Sequence, residues 1–158
     1  MNKIFIVLTL FLSINGKNQN LPEMSLTDIR GNVLSKAELE KENVFFLIAS
    51  LKCGYCLKDI KYYNALINKY SQLTDFKFIV LLENDKNYIE NFKKTNEFID
   101  EKWIVIPSAE KYYTKIWKEE LFPEYIIFKK GKLDKTFAFS NLQTMKRIKN
   151  YLMKNLKK

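Results

Sequence analysis

Histidine is missing from this sequence of 158 residues, and several other residue types are scarce. The absence of histidine excludes a Ser–His or Cys–His nucleophilic couple and every metal site that needs an imidazole ligand. With only two cysteines, the chain cannot supply the four thiolates of a complete zinc or iron–sulfur site. Four glycines and three prolines also argue against a repetitive or low-complexity chain. These counts therefore predict no intrachain metal centre, and the thiol chemistry predicted below needs no organic cofactor.

The sequence is basic and rich in apolar side chains. Lysine and arginine number 27 against 18 aspartate and glutamate residues, which leaves a formal net charge of +9. The lysines are interleaved with acidic residues and the only arginines are Arg30 and Arg147, so the pattern predicts no nucleic-acid partner. An apolar content of 47% and an aromatic content of 15% predict one folded domain with its own core.

The first residues have the pattern of an export signal. Lys3 precedes the uncharged run Ile4–Ile14, which as a helix would be about 16 Å long, whereas a membrane span needs about 30 Å. We therefore predict a cleavable signal peptide over Met1–Gly16, with a buried N-terminal strand or a membrane anchor as the alternatives. The mature chain would start with a flexible lead-in at 17–23, continue as one domain over 24–158, and work in the periplasm or outside the cell.

Strand and helix patterns alternate along the rest of the chain. Met24–Thr27 and Asn32–Leu34 flank a turn sequence at Asp28–Gly31, which predicts a hairpin. The capping-box pattern Ser35–Glu38 predicts a short helix. Further strands are predicted over Val44–Ala49, Phe76–Leu82, Trp103–Ile106, Tyr125–Phe128 and Leu133–Phe139, and helices over Gly54–Tyr70, Asn87–Ile99, Glu110–Lys118 and from Ser140 or Asn141 onward. This order predicts an α/β sandwich with helices on both faces of a mainly parallel sheet that ends in an antiparallel pair.

The two cysteines lie in the segment Lys52–Cys56, between a buried strand and a helix. A helix N-terminus carries unpaired N–H groups and partial positive charge, so it stabilises a thiolate. Lys52, directly before Cys53, would add to this effect. Cys56 follows one helical turn later on the core side. We therefore predict a redox pair with Cys53 as the exposed attacking thiol and Cys56 as the buried resolving thiol.

Two structural interpretations of the cysteine pair stay open. In the chain-entropy model, a disulfide that closes four residues stabilises a fold by about 1.9 kcal/mol, against about 3 kcal/mol for fifteen residues. A disulfide kept for stability would usually close a longer loop. Half of a shared metal site is the second possibility, and it would require two chains, because no histidine is present.

A proline precedes one of the predicted strands. Phe122–Pro123 stands directly before Glu124–Phe128, and proline suits a strand entrance because it has no N–H group. A cis bond at this position would expose the Phe122 backbone near the thiols. The sequence itself leaves cis and trans open.

The order of these features resembles the thioredoxin-like superfamily, most closely the TlpA/ResA-type thiol–disulfide oxidoreductases. The resemblance is carried by Ser25–Asp28 with Gly31 and Leu34, by Phe45–Cys56, and by Phe122–Phe128 with Gly131. It implies a three-layer α/β sandwich with a central mixed sheet, an N-terminal hairpin extension and a cis peptide bond at Pro123.

The resemblance also implies a substrate-binding surface and shows where this chain departs from the family. Lys52, Gly54, Tyr55, Phe122 and Pro123 correspond to positions that contact the disulfide-bearing segment of the substrate. The family usually has a tryptophan at the position of Lys52 and a smaller residue at that of Phe122.

Many thioredoxins carry a buried acid six residues before the first cysteine, and this chain has Leu47 there. Glu83, at the end of the next strand, is the candidate for proton transfer in its place.

The function that the resemblance implies is the reduction of protein disulfides by dithiol exchange. Its partners would be a disulfide-bearing protein and a membrane-bound electron donor, and we expect a monomer. A disulfide oxidase or isomerase of the same fold and a non-catalytic thioredoxin-like binding module remain alternatives. A peroxiredoxin is a weaker one, because Ser50–Cys53 does not have the usual Thr-x-x-Cys pattern.

Overall fold

The computed structural model describes residues 19–70, 75–95, 101–113, 122–138 and 140–155. The predicted signal peptide at 1–16 lies outside these ranges. Within the predicted lead-in, Leu21 is buried and its N–H group donates to the carbonyl oxygen of Gly131. This part of the lead-in is therefore packed against the domain, unlike the loose segment expected from its polar composition.

The chain begins with the predicted hairpin. Strands β1 (Ser25–Thr27) and β2 (Val33–Ser35) pair antiparallel. The turn between them is held by Asp28, whose carboxylate accepts hydrogen bonds from the N–H groups of Arg30 and Asn32. Helix α1 (Lys36–Leu39) follows with the complete capping box of Ser35 and Glu38. The hairpin and the capped helix are both confirmed.

Five strands form the central sheet. They are β3 (Asn43–Ala49), β4 (Phe76–Leu82), β5 (Trp103–Ile106), β6 (Glu124–Lys129) and β7 (Lys132–Ala138), in the order β5-β4-β3-β6-β7. The first three strands run parallel, and β6 and β7 are each antiparallel to their neighbours. The predicted mixed sheet with a closing antiparallel pair is therefore confirmed.

Helices cover both faces of the sheet. They are α2 (Gly54–Lys69), α3 (Lys86–Thr95), α4 (Glu110–Tyr112) and α5 (Leu142–Asn155). The side chains of β3 alternate between two cores, because successive residues of a strand point to opposite faces. Phe45 and Leu47 join the core that contains residues of α2 and α5, whereas Phe46 and Ile48 join the core beneath the hairpin and α1. This is the predicted three-layer sandwich.

Two helices begin at residues slightly different from the predicted ones. The helix expected over Asn87–Ile99 begins one residue earlier and is described as far as Thr95. The terminal helix, predicted to start near Ser140 or Asn141, begins at Leu142, because the side chain of Asn141 accepts a hydrogen bond from the N–H group of Thr144, as an N-cap residue does.

Candidate functional site

The loop between β3 and α2 is held by its own hydrogen bonds and by the end of β4. The N–H group of Cys53 donates to the carbonyl oxygen of Ser50 over 3.1 Å. The N–H group of Leu51 donates to the side-chain oxygen of Asn84 over 2.7 Å. These bonds fix the direction in which the chain enters α2 and therefore the position of the first thiol.

Cys53 is the N-cap residue of α2. Its backbone is extended, with φ −92° and ψ 111°, and its sulfur accepts a hydrogen bond from the N–H group of Cys56 over 3.3 Å. The side chain is partly exposed to solvent. A sulfur in this position lies among the N–H groups that a helix leaves unpaired at its start.

Cys56 lies one turn further on and is completely buried. Burial raises the pKa of the Cys56 thiol, and its hydrogen bond with the Cys53 side chain raises the pKa further. The nearby carboxyl group of Asp59 acts in the same direction, whereas the backbone N–H group of Ser50 opposes it. The Cys56 thiol is therefore protonated at neutral pH, and it must lose a proton before it can attack.

Asp59 is a buried acid that the sequence analysis missed. It follows Cys56 on the core face of α2 and is itself completely buried. The hydroxyl group of Tyr125 donates to one carboxylate oxygen, and that of Ser140 donates to the other over 2.6 Å. Burial raises the pKa of Asp59, and these two hydrogen bonds act in the opposite direction.

Asp59 supplies a buried acid that β3 lacks. Tyr125 stands directly opposite Leu47 in the β3–β6 register, and both side chains lie in the same core. Leu47 is the residue where the resemblance would place a buried acid. In this chain the buried acid near Cys56 comes from α2 instead. The signal for it was its spacing from Cys56, since residues three apart on a helix are neighbours.

Glu83, the sequence-based candidate for proton transfer, follows the last residue of β4. Its carboxylate accepts a hydrogen bond from the hydroxyl group of Ser50, and its N–H group donates to the carbonyl oxygen of Ala49. Glu83 is thus tied to the loop that precedes the thiols. Its role in proton transfer stays a prediction.

The surface around Cys53 is polar and aromatic. Tyr55 is 64% exposed, and the Lys58 ammonium group lies 5.7 Å from the centre of its ring. Lys52 is exposed, with its ammonium group 5.8 Å from the ring of Tyr88. No atom lies within 4 Å of the place where a Cβ would stand on Gly54. Lys52 also lines a cavity of about 280 Å³ with Glu83, Asn84, Asp85, Tyr88 and Glu110.

Phe122 and Pro123 lie at the same edge of the sheet as the thiols. Glu124 pairs with Ile48, so the preceding proline stands beside the end of β3, from which the loop to Cys53 departs. The peptide bond between Phe122 and Pro123 is cis, as the resemblance implied. Phe122 is partly buried and meets Tyr113 edge to face, with 5.6 Å between the ring centres. All the predicted site residues are thus found around the end of β3 and the start of α2.

Two further properties hold for the residues that the structure describes. Within them, no three side chains of cysteine, aspartate or glutamate come together as a metal site would require. No helix there combines the length and the apolar content of a membrane span.

The comparisons with known proteins rest on structure. No protein-family model matches the sequence, and no curated protein matches it. A Chlorobium tepidum protein provisionally named thiol:disulfide interchange protein DsbE has a TM-score of 0.72 at 15% identity, and the match covers 89% of this chain and 97% of that protein. The fold is thioredoxin-like.

Two Mycobacterium tuberculosis proteins share the thioredoxin-like fold. DsbF matches with a TM-score of 0.68 and 9% identity, over 84% of this chain and 94% of its own. A secreted disulfide oxidoreductase homologous to DsbE of Escherichia coli matches with a TM-score of 0.65 and 9% identity, over 84% of this chain and 96% of its own. The resemblance drawn from the sequence is therefore confirmed at the level of the fold.

Proposed function

We propose that this chain is an exported thiol–disulfide oxidoreductase of the TlpA/ResA type, with Cys53 as its attacking thiol and Cys56 as its resolving thiol. The observation that carries the proposal is the contrast at the start of α2. One sulfur caps the helix and is partly exposed, while its partner is buried one turn behind it. This is the division of labour that dithiol exchange requires.

The reaction runs in two displacements. The Cys53 thiolate attacks a substrate disulfide, a mixed disulfide forms, and one substrate sulfur leaves as a thiolate. The Cys56 thiolate then attacks the sulfur of Cys53. The Cys53–Cys56 bond forms, the bond to the substrate breaks, and the second substrate sulfur leaves with the electron pair. The substrate gains two electrons, and the chain loses them.

Asp59 is the base for the second displacement. Asp59 shares the buried face of α2 with Cys56, its charge raises the pKa of the Cys56 thiol, and no described lysine or arginine forms an ion pair with it. A buried acid with a raised pKa is better matched than an exposed acid to take a proton from a thiol. Glu83 is the competing candidate, and its hydrogen bond to Ser50 makes an indirect, positioning role the better fit.

The substrate segment binds across the exposed surface beside Cys53. Lys52, Gly54 and Tyr55 form this surface in the loop and the first turn of α2, and the partly buried Phe122 and the buried Pro123 border it at the entrance of β6. The open space at Gly54 and the exposed ring of Tyr55 support this assignment, since a peptide can approach the sulfur there without displacing a side chain.

The preferred direction is the reduction of protein disulfides outside the cytoplasm, with electrons from a membrane-bound donor. The names of the structural neighbours support exchange chemistry, and one of them is a secreted protein. The N-terminal sequence pattern supports export. The predicted chemistry uses the two thiols of a monomer and requires no metal or organic cofactor.

Insulin reduction driven by dithiothreitol tests the proposal. The wild-type protein should accelerate the precipitation of insulin B chains, and Cys53→Ser should abolish the acceleration. Cys56→Ser should instead accumulate a mixed disulfide with the substrate, which non-reducing electrophoresis and mass spectrometry would detect. An acceleration that Cys53→Ser retains would rule out Cys53 as the attacking thiol, and no acceleration by the wild-type protein would leave only the non-catalytic binding module.

The reduction potential of the Cys53–Cys56 couple tests the direction. Equilibration with glutathione or dithiothreitol mixtures, read out by thiol alkylation, gives this potential. A value near about −270 mV, as in thioredoxin, would support a reductase. A value near about −120 mV would instead assign the chain to the oxidases.

A further inference from the structure

The buried carboxylate of Asp59 has an unusual set of neighbours. The titratable groups that face it are Cys56 and Tyr63 from α2 and Tyr125 from β6. Helix α5 presents the uncharged side chains of Thr144, Ile148 and Leu152 to the domain interior. No cation stabilises this carboxylate by a salt bridge. Two hydroxyl groups donate hydrogen bonds to its oxygens instead.

The hydroxyl groups of Tyr125, Tyr63 and Ser140 differ in their access to water. Tyr125 is completely buried, so its hydroxyl group can hold the carboxylate in place but has no contact with solvent. Tyr63 is equally buried, and its hydroxyl group has no hydrogen-bond partner among the described residues. Ser140 alone among these three residues is partly exposed. It stands in the link between β7 and α5, directly before the N-cap residue Asn141.

We propose that Ser140 is the proton port of this site: its hydroxyl group passes the proton of Asp59 to water beside the start of α5, by a route separate from Cys53. The inference rests on the proposed function. It adds a positioning residue in a segment that the cysteine motif does not point to. A bound substrate would cover Cys53, and the port would let the proton leave while the substrate is still attached.

The proton balance of the step is as follows. Asp59 accepts the proton of the Cys56 thiol, and the resulting thiolate attacks the Cys53 sulfur of the mixed disulfide. Asp59 then gives a proton to the Ser140 oxygen while the hydroxyl proton of Ser140 moves to a water molecule. A hydroxyl group can do this because it is both a donor and an acceptor. The reverse reaction uses the same route in the opposite order, so the port does not depend on the direction of electron flow.

In molecules whose Asp59 is protonated, Ser140 has to carry that proton away before Cys56 can attack. Burial raises the pKa of Asp59 and so favours its protonated form, and a protonated Asp59 must release its proton before it can accept that of Cys56. Loss of the port should therefore slow the attack by Cys56 and leave the attack by Cys53 unchanged.

A two-phase thiol assay separates these steps. The reduced protein is mixed with excess 5,5′-dithiobis(2-nitrobenzoate) in a stopped-flow instrument. The first release of thionitrobenzoate reports the attack by Cys53, and the second reports the displacement by Cys56. Ser140→Ala should slow the second phase by about tenfold and shift its pH profile, with the first phase unchanged.

Two more substitutions distinguish a proton port from a simple hydrogen-bond donor. Ser140→Thr keeps a hydroxyl group and should retain the wild-type second phase. Ser140→Asn keeps an N–H donor that cannot relay a proton, and it should remain slow. Thr136→Ala removes an exposed hydroxyl group from β7 and serves as the matched control.

Several outcomes would overturn the port. A wild-type second phase in Ser140→Ala, recovery in Ser140→Asn, or equal slowing of both phases would each do so. If Ser140→Ala does not fold, the Thr and Asn variants decide the question alone. Failure of the proposed function is a separate result, because Cys53→Ser would then leave the insulin activity intact.

Discussion

Cys53 and Cys56 are the same residue type in adjacent turns of the chain, yet their surroundings are opposite. Cys53 is partly exposed and caps a helix, whereas Cys56 is completely buried. The first sulfur accepts a backbone hydrogen bond at 3.3 Å, and the second lies in an apolar core whose burial raises its thiol pKa. One helical turn therefore separates a thiol that can meet a substrate from one that needs a base.

The two cysteines are identical residues, so the difference between them comes from their positions on the helix. The N-cap position supplies N–H groups to one sulfur, and the core face of the same helix supplies Asp59 to the other. Changes at the first sulfur should therefore abolish capture of the substrate, and changes around the second should affect only its release. The following experiments test this division, in order of expected effect.

Loss of the Cys53 sulfur should have the largest effect. Cys53→Ser should lower the insulin-reduction rate by at least about a thousandfold, because a hydroxyl group is a poor nucleophile at neutral pH. Cys56→Ser, the matched variant, should also lose turnover but keep covalent capture of the substrate. Covalent capture by the Cys53→Ser variant would reverse the roles assigned here.

Removal of the buried carboxylate should slow only the second displacement. Asp59→Asn should lower the rate of the second thionitrobenzoate release by on the order of a hundredfold, as expected for the loss of a general base. The first release should be unchanged. A slowed first phase would show that Asp59 acts on Cys53 instead.

The same variant should be more stable than the wild type at neutral pH. The folded-state pKa of Asp59 is raised, so the unfolded chain ionises first and stability falls as pH rises above the ordinary value of 3.8. Asp59→Asn removes this penalty and should raise the free energy of unfolding at pH 7. Urea titrations at pH 7 and pH 4 should show the gain shrinking at the lower pH. A constant gain at both values would contradict the raised pKa.

Glu83 should contribute less than Asp59 to the second phase. Glu83→Gln keeps the acceptor for the Ser50 hydroxyl group, so we expect a change of no more than about threefold in either thionitrobenzoate phase. A loss as large as that of Asp59→Asn would make Glu83 the proton acceptor, as the sequence alone suggested.

Tyr55 should show the smallest effect. Its ring is 64% exposed, so Tyr55→Ala should change the unfolding free energy by less than about 0.5 kcal/mol. The KM for insulin should rise about twofold, since the ring would contact only part of the substrate segment, and kcat should stay constant. A change in kcat would place Tyr55 in the chemistry rather than in binding.

Local sequence patterns were sufficient to predict most of the fold. The strand bounds Phe76–Leu82 and Trp103–Ile106 follow from short apolar runs between polar segments, and the structure reproduces them. The capping box at Ser35 and the core stripe of α2 were equally readable, because both depend on residues within one or two turns. The prediction of a flexible lead-in was wrong at Leu21, because its hydrogen-bond partner, Gly131, lies in a turn far along the chain.

Sequence by itself predicted a redox role for the cysteine pair, and it determined the helix that carries the pair and the succession of strands along the chain. Spacing and apolar periodicity express these features within a few residues. The tertiary structure alone decided the environment of Asp59, because its partners Tyr125 and Ser140 are 66 and 81 residues away along the chain. A buried carboxylate is defined by what surrounds it, and those contacts form only when β6, the link to α5 and α2 pack into one core.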